Sequence, residues 1–579
     1  MQTEQQKFRG PARVVLAAAA IGLGLIVIMT PLSPQGVAVA VGIGIACSGI
    51  LLIVAPSTQN QTTRSVLPLV AGVMCMVLGA VVALWPDAGA PWLALLVAVA
   101  IIVFGIHTAT RAIRQRTDQS VASLISAFAA ILIGVVAFSW PVLTLSVFRV
   151  GFGGWLVFIG AQALLQLIFA RRSTRRRPPT RGWIRTAAAS LALVLACGFA
   201  LGSAWIFGGA PLAAPGAFYT PPADVSDTPG TLIRVEPLDS GVPAEAEGYR
   251  ILYTTTHADG SPAISSGTVL LPARRGTDPL PLISVAHGTT GVDPKCAPSL
   301  SATPFSDGAA AALEQMVVEH GWAAVTSDYI GLGTEGPHPY LVGDAEARNV
   351  LDATRAAHEL ADVTLADRTV VWGHSQGGQG ALWTGQIADA YAPEITIEGI
   401  AAFAPAADLY GLADADKNDA AGKTVSAYIA ATWNDLYPEL DLDEHLTAGS
   451  AVGVERISQL CFNGKDVLAA IIRGTQVTNQ VFPDSTLAGE FGDMLKAQTP
   501  VGPFPAPVLV AQGLDDPLVK PQLQDRWVEA RCAEEEAIDY RTYAGFDHVS
   551  VVSKDSPLTP ELIDWTLARW SGDAPTPNC

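Results

Sequence analysis

The segment GHSQG at 373–377 contains the residues in this sequence that are best suited to chemistry. It separates a short apolar run, 370–372, from a stretch of helical character, 379–390. Glycines two residues before and after a serine allow the tight strand-to-helix turn that lifts a serine hydroxyl above a sheet edge. The start of the following helix favours negative charge that develops nearby. A chance match is the alternative in a chain with 54 glycines, but the flanking patterns favour Ser375 as a nucleophile.

A serine nucleophile needs a base, and two histidines follow Ser375 in the chain. His445 lies in the acidic run DLDEHL, which is typical of a solvated surface. His548 lies in a turn that follows a predicted strand, 538–543, and a loop there could present its imidazole. We therefore predict that His548 accepts the proton of Ser375.

The third group that a serine nucleophile and its histidine base need is a carboxylate. In the expected chain order of serine, acid and histidine, it lies between the other two. An apolar strand at 507–512 opens into the loop GLDDPLV, which contains Asp515 and Asp516. Asp516 has the usual spacing in such loops, and Asp515 is the alternative. We predict that Asp516 orients the imidazole of His548 and stabilises its charged form.

Strand and helix patterns alternate around these residues. A hairpin at 249–271 is followed by buried strands at 280–286, 323–327 and 397–403. This alternation predicts an α/β fold with a mostly parallel sheet, in which functional residues follow the C-terminal ends of strands. Residues 406–505 interrupt the pattern, and an insertion at this point would cover the site as a cap.

The two parts of the chain differ sharply in charge. There are 15 Lys and Arg against 3 Asp and Glu up to Phe207, and 20 against 50 from Gly208 onward, which gives −18 overall. The acidic part carries no basic aromatic patch, which argues against nucleic acid as a partner. The 579 residues are enough for more than one domain.

The first third of the sequence has the composition of a membrane domain. Its apolar runs each approach the ~20 residues that a spanning helix needs. They lie at 13–31, 37–55, 66–85, 91–110, 121–139, 143–170 and 186–207. If there are seven spans, the basic residues that flank these runs all lie on one side of the membrane. That side is then cytoplasmic, with the N-terminus, and residues after the seventh span are extracytoplasmic.

The predicted spans also repeat about every 55 residues as hairpins with a proline-containing outer turn. Residues 10–172 resemble the HdeD-like acid-resistance membrane protein family on this pattern of glycines and prolines. The resemblance carries no catalytic residue to this chain.

Six landmarks in order make residues 220–579 similar to the secretory lipase family, the lipase A type of α/β-hydrolase. They are HGTTG at 287–291, CAPS at 296–299, DYIGLG at 328–333, GHSQGG at 373–378, and the loops of Asp516 and His548. The resemblance implies hydrolysis of carboxylic esters without a metal or organic cofactor, and an insertion that serves as lid and acyl pocket. Gln376 departs from the glycine that this family often has there.

We expect the oxyanion hole to be formed by backbone N–H groups of Thr289, which follows the 280–286 strand, and of Gln376. The alternative for the loop that contains Thr289 is a simple glycine turn. Four cysteines lie in the acidic part, and they allow three pairings. The family resemblance favours the pairs Cys296–Cys461 and Cys532–Cys579.

The sequence therefore predicts a transmembrane domain at 1–207, a Pro/Gly/Ala-rich linker at 208–230, and an α/β-hydrolase domain at 231–579. The expected activity is hydrolysis of acylglycerols or related lipid esters by an extracytoplasmic domain. One alternative is an acyltransferase on envelope lipids or glycans that uses the same triad. Another is a membrane protein that binds lipid without turnover.

Overall fold

The computed structural model describes residues 32–54, 67–115, 120–168, 182–210, 212–306 and 308–579, with 14, 18, 21, 22 and 24–30. The chain divides into two compact units. The first comprises Met1–Gly208 with Thr447–Ser450 and Thr475–Asn479, and the second comprises Gly209–Leu446, Ala451–Gly474 and Gln480–Cys579.

The N-terminal unit consists of apolar helices. They are α1 (Pro34–Val54), α2 (Leu67–Leu84), α3 (Pro86–Gln115), α4 (Ser120–Ala137), α5 (Pro141–Ile168) and α6 (Gly182–Phe207). Among the described residues, four stretches are long and apolar enough to cross a membrane: Pro86–Arg114, Ser120–Ala137, Pro141–Phe158 and Trp183–Phe207. The first predicted span, 13–31, lies partly outside the described residues, so seven spans remain a prediction.

Glycines allow two pairs of these helices to approach closely. A Cβ atom on Gly42 of α1 would lie 2.7 Å from the carbonyl oxygen of Gly79 in α2. One on Gly105 of α3 would lie 2.8 Å from the carbonyl oxygen of Ala127 in α4. Small residues at such contacts let helix backbones pack together in a membrane, where van der Waals contact contributes much of the association.

The second unit is organised around a nine-stranded sheet of order β1-β2-β3-β5-β4-β6-β7-β8-β9. The strands are β1 (Leu232–Leu238), β2 (Ala246–Thr256), β3 (Pro262–Pro272), β4 (Leu280–Ala286), β5 (Ala323–Ser327), β6 (Leu365–His374), β7 (Thr396–Phe403), β8 (Val508–Gly513) and β9 (Ile538–Tyr543). The pairings from β1 to β3 and between β3 and β5 are antiparallel, and the others are parallel. The predicted hairpin and the strand at 323–327 are confirmed.

Strand β1 was not predicted from the sequence. Its segment LIRVEPL contains Pro237 and alternates only weakly, and it lies at the edge of the sheet, where proline is tolerated. The adjacent linker region also packs more than its composition suggests. Phe218 and Tyr219 are buried, and the hydroxyl of Tyr219 lies 2.7 Å from Oγ of Ser299.

Helices cover both faces of the sheet because successive strand residues point to opposite faces. Val370 and Trp372 of β6 pack on one side, and Val371 packs on the other. The helices outside the insertion are α7 (Ala310–Val318), α8 (Gly343–His358), α9 (Gln376–Tyr391), α16 (Pro521–Ala533) and α17 (Leu558–Trp570). Residues of α7 and α17 join the first cluster, and residues of α8, α9 and α16 join the second.

Six helices lie between β7 and β8, in the region where the sequence predicts an insertion, and we call them the inserted helices. They are α10 (Leu409–Asp416), α11 (Ala420–Leu436), α12 (Ala451–Ser458), α13 (Gly464–Gln476), α14 (Asp484–Leu487) and α15 (Glu490–Ala497). A disulfide joins Cys461 in this region to Cys296, and a second joins Cys532 to Cys579. This is the pairing that the family resemblance implies.

Candidate active site

Ser375 occupies the turn between β6 and α9 in a strained backbone conformation. Its φ of 58° and ψ of −118° lie outside the regions that a residue with a side chain normally adopts. The turn leaves no room for a side chain at either neighbouring glycine. A Cβ on Gly373 would collide with the carbonyl of Gly377, and one on Gly377 would collide with the carbonyl of Ala286. The glycines of the motif are therefore a steric requirement of the turn.

Parallel pairing brings the other predicted residues to the same sheet edge. Ala286, Gly373 and Ala402 are neighbours in register at the ends of β4, β6 and β7. The loop of Thr289 follows β4, and Ser375 follows β6. The loops of Asp516 and His548 follow β8 and β9. Strand ends of a parallel sheet converge in this way because all the strands point in one direction.

A hydrogen bond links His548 to Asp516. Nδ1 of His548 lies 2.8 Å from Oδ2 of Asp516, and both residues are buried. The other carboxylate oxygen, Oδ1, accepts from the backbone N–H groups of Leu518 at 2.8 Å and Val519 at 2.9 Å. These bonds hold the carboxylate in one orientation toward the imidazole. Asp515, the alternative acid, is exposed.

His548 and Ser375 line the same cavity of about 480 Å³, whereas His445 is not among its lining residues. Most of the lining is apolar. Leu409, Leu412, Val425, Ile429, Phe462 and Val467 from the inserted region contribute to the wall. Such a cavity suits an apolar ligand group that reaches the hydroxyl of Ser375.

Thr289 and Gln376, the two predicted oxyanion-hole residues, also line this cavity. Oγ1 of Thr289 lies 2.9 Å from the hydroxyl oxygen of Tyr340. The side chain of Gln376 is buried, and its Nε2 donates to Oε1 of Glu346 at 2.7 Å. The backbone N–H groups of Thr289 and Gln376 remain the predicted oxyanion donors.

Several residues support the site in ways that the sequence alone did not indicate. His374 precedes Ser375, and its Nε2 donates to the backbone carbonyl of His548 at 2.8 Å. Asp328, within the DYIGLG landmark, accepts from the backbone N–H of Ser299 at 2.9 Å and from Oγ of Ser266 at 2.6 Å. Burial raises the pKa of Asp328. Its bond to Ser299 joins the loops that follow β4 and β5, and its bond to Ser266 joins the second of these loops to β3.

Glu346 is fully buried beside the turn of Ser375, and burial raises its pKa from 4.5 to about 8. The unfolded chain therefore releases this proton near pH 4.5, whereas the folded protein keeps it until about pH 8. The free energy of unfolding should fall with rising pH across this window, by about 1.4 kcal/mol for each pH unit from this group.

Replacing Glu346 with glutamine removes this titration. We expect the Tm of wild type to fall relative to the Tm of Glu346→Gln as the pH rises from 5 to 8. The measurement is thermal unfolding of both full-length proteins in detergent at each pH. Parallel dependence of the two Tm values on pH would contradict the raised pKa.

Two family models match this chain. Residues 304–578 match the model described as secretory lipase, which confirms that resemblance. Residues 70–132 and 125–201 match the model described as a short repeat of unknown function (DUF308), which confirms the repeats of the HdeD-like region. The matched repeats end further along the chain than the predicted range of 10–172, and they extend into α6.

The similar proteins are named as lipases or, in some cases, as esterases. A probable inactive lipase of Mycobacterium tuberculosis is 25% identical over 384 residues, which cover 61% of this chain and 82% of that protein. Lipase A of Moesziomyces aphidis is 27% identical over 194 residues, which cover 31% of this chain and 41% of that protein. The relatives named as lipases or esterases support a carboxylic ester hydrolase of the lipase type, and the Mycobacterium tuberculosis relative is the one named inactive.

A solved structure is also similar in fold. The closed state of Candida antarctica lipase A aligns with a TM-score of 0.53 at 21% identity, covering 64% of this chain and 89% of that one. This likeness supports an α/β-hydrolase-like lipase fold with a mixed sheet, preceded here by apolar helices.

Proposed function

We propose that this chain is a membrane-anchored serine ester hydrolase whose catalytic domain is extracytoplasmic and acts on lipid esters through an acyl-enzyme. One observation carries the proposal. Ser375 and His548 line one apolar cavity, and His548 is hydrogen-bonded to the buried Asp516. A strained serine, an imidazole and an oriented carboxylate are the parts that nucleophilic attack on an ester requires.

In the acylation step, Nε2 of His548 accepts the hydroxyl proton of Ser375 while Oγ forms a bond to the ester carbonyl carbon. The carbonyl oxygen becomes an oxyanion, to which the N–H groups of Thr289 and Gln376 donate. The bond to the alcohol oxygen then breaks, and the alcohol leaves with the proton from His548. Asp516 stabilises the imidazolium that exists between these two proton transfers.

Deacylation repeats the same steps with water. His548 accepts a proton from water, and the hydroxide oxygen attacks the acyl carbon. The bond to Oγ of Ser375 breaks, Oγ recovers the proton, and the carboxylic acid leaves. An acyltransferase would differ only in that an alcohol replaces the water.

The apolar lining of the cavity favours a lipid substrate. Apolar side chains from the inserted helices, such as Leu412 and Ile429, face the same cavity as Ser375. Burial of an acyl chain against them contributes ~0.8 kcal/mol per methylene group. We propose that the inserted helices act as the cap and acyl pocket of the enzyme.

The test is release of free fatty acid from lipid-ester vesicles by the full-length protein in its membrane. Free acid that depends on Ser375 would support the hydrolase. Acyl groups that appear on an added alcohol instead of as free acid would identify an acyltransferase.

The name of the Mycobacterium tuberculosis relative, a probable inactive lipase, favours a second candidate function. In that case the cavity would bind lipid without turnover. The same vesicle assay separates the two, because a binding protein would retain lipid and release neither free acid nor acylated alcohol.

Orientation rests on the basic residues of the membrane region and is supported by the disulfides. Cys296, Cys461, Cys532 and Cys579 are all paired, and such bridges persist in oxidising compartments. We expect these four cysteines to resist a maleimide that is added to denatured, unreduced protein from native membranes.

Cys75 and Cys197 are free in the structure and serve as internal positive controls for this labelling. Peptide mapping would identify the modified residues. Four modified cysteines in the hydrolase region would overturn the extracytoplasmic placement.

A further inference from the structure

A buried carboxyl group contacts Gln376, one of the two predicted oxyanion-hole residues. Glu346, in the first turn of α8, is fully buried, and its Oε1 accepts from Nε2 of Gln376 at 2.7 Å. The same oxygen accepts from the backbone N–H of Leu341 at 2.8 Å. One side-chain atom therefore holds the residue after the nucleophile and a loop on the wall of the cavity.

The hydrogen bond to Leu341 connects Glu346 indirectly to Thr289. Leu341 has a φ of 59°, a left-handed conformation that a leucine adopts only when its surroundings hold it there. Its neighbour Tyr340 is buried, and the Tyr340 hydroxyl lies 2.9 Å from Oγ1 of Thr289. The backbone carbonyl of Tyr340 also accepts from Nε1 of Trp433 in the inserted helices at 2.9 Å. Glu346 thus holds the segment that contacts the other predicted oxyanion residue.

We propose that Glu346 is a positioning residue that sets the two oxyanion donors, Gln376 directly and Thr289 through Leu341 and Tyr340. This inference rests on the proposed function, because it assigns Glu346 a role in the same reaction. Glu346 acts through other groups and is not itself a catalytic residue.

The geometry explains why a side chain with an acceptor oxygen occupies this position. Two donors, a side-chain amide and a backbone N–H, point at one oxygen, and an apolar side chain would leave both unsatisfied in a buried site. A neutral acid accepts both bonds without adding a negative charge to the buried site. The raised pKa of Glu346 is consistent with the neutral form at pH 7.

The test compares two substitutions of similar size. Glu346→Met fills the space but accepts no strong hydrogen bond, whereas Glu346→Gln retains an acceptor oxygen and is neutral. Removing one oxyanion donor typically costs about 10²-fold in kcat, and partial displacement should cost about 10-fold or more. We expect Glu346→Met to lower kcat by that factor with little change in KM, and Glu346→Gln to restore most of the loss.

Each kcat is measured with a p-nitrophenyl ester and divided by the active sites that a fluorophosphonate titrates, so that misfolded protein does not count. Gln376→Met removes the same hydrogen bond by replacing its donor. This variant takes the place of Glu346→Met in the test if Glu346→Met does not accumulate. In a double-mutant cycle, the double variant should lose less than the product of the two single losses, because both substitutions delete one interaction.

The possible outcomes separate the two proposals. If wild type shows turnover that depends on Ser375 but Glu346→Met has a normal kcat per active site, the positioning role is wrong and the hydrolase stands. Independent effects of the two methionine substitutions would also overturn it. Absence of turnover in wild type would overturn the hydrolase and, with it, the role of Glu346.

Discussion

Replacing Ser375 with alanine should lower kcat for ester hydrolysis by about 10⁵-fold or more, because no other group can form the acyl-enzyme. Two features of the structure single out Ser375 for this substitution. Its strained turn and its place on the apolar cavity leave the Ser375 hydroxyl as the predicted point of attack. Residual turnover would come from the oxyanion donors and substrate binding alone.

The measurement is the rate of fatty acid release by full-length wild type and Ser375→Ala, together with covalent labelling by a fluorophosphonate. Wild type should be labelled at Ser375, and the variant should not be labelled. Ser458→Ala is a matched control, since Oγ of Ser458 donates only to a neighbouring carbonyl on an inserted helix, that of Glu455. Turnover or labelling that survives Ser375→Ala would show that another residue is the nucleophile.

Replacing Asp516 with asparagine should lower kcat by about 10⁴-fold with little effect on folding. The asparagine amide keeps the size of the side chain, but its NH₂ group can donate to Nδ1 of His548. That favours the imidazole tautomer with its proton on Nε2, which cannot accept the proton of Ser375. The variant also loses the negative charge that stabilises the imidazolium form of His548.

Asp515→Asn is the matched control, because it makes the same chemical change one residue earlier in the same loop. Asp515 is exposed, and its backbone N–H, which the substitution keeps, donates to the carbonyl of Phe546. We expect kcat within about twofold of wild type for this variant, as for most exposed positions. A severe loss in Asp515→Asn with near-normal turnover in Asp516→Asn would assign the acid to the other carboxylate.

The two experiments have different consequences. Loss of Ser375 removes covalent catalysis, so it tests whether the chain is a hydrolase at all. Loss of Asp516 leaves the nucleophile in place, so slow fluorophosphonate labelling of Ser375 should persist. A protein that binds lipid without turnover would be insensitive to both substitutions in its retention of lipid.

The local features of this protein were available from its sequence. Glycines around Ser375, alternating apolar residues in the hairpin, and long apolar runs each reflect interactions within a few residues. Such patterns predicted the strand at 323–327, the strand-to-helix turn at Ser375 and an insertion before β8. They also narrowed the base to two histidines and the acid to two adjacent carboxylates.

The tertiary structure decided what depends on residues far apart in the chain. The acid and the imidazole are 32 positions apart, and only the pairing of β8 with β9 brings their loops together. Gln376 and Glu346 are 30 positions apart, and no periodicity marks Glu346 as a buried acceptor. Sequence patterns report whether a residue faces water or protein. Which polar groups meet inside depends on how sheet, helices and insertion pack, and so the support of the oxyanion hole is visible only in the fold.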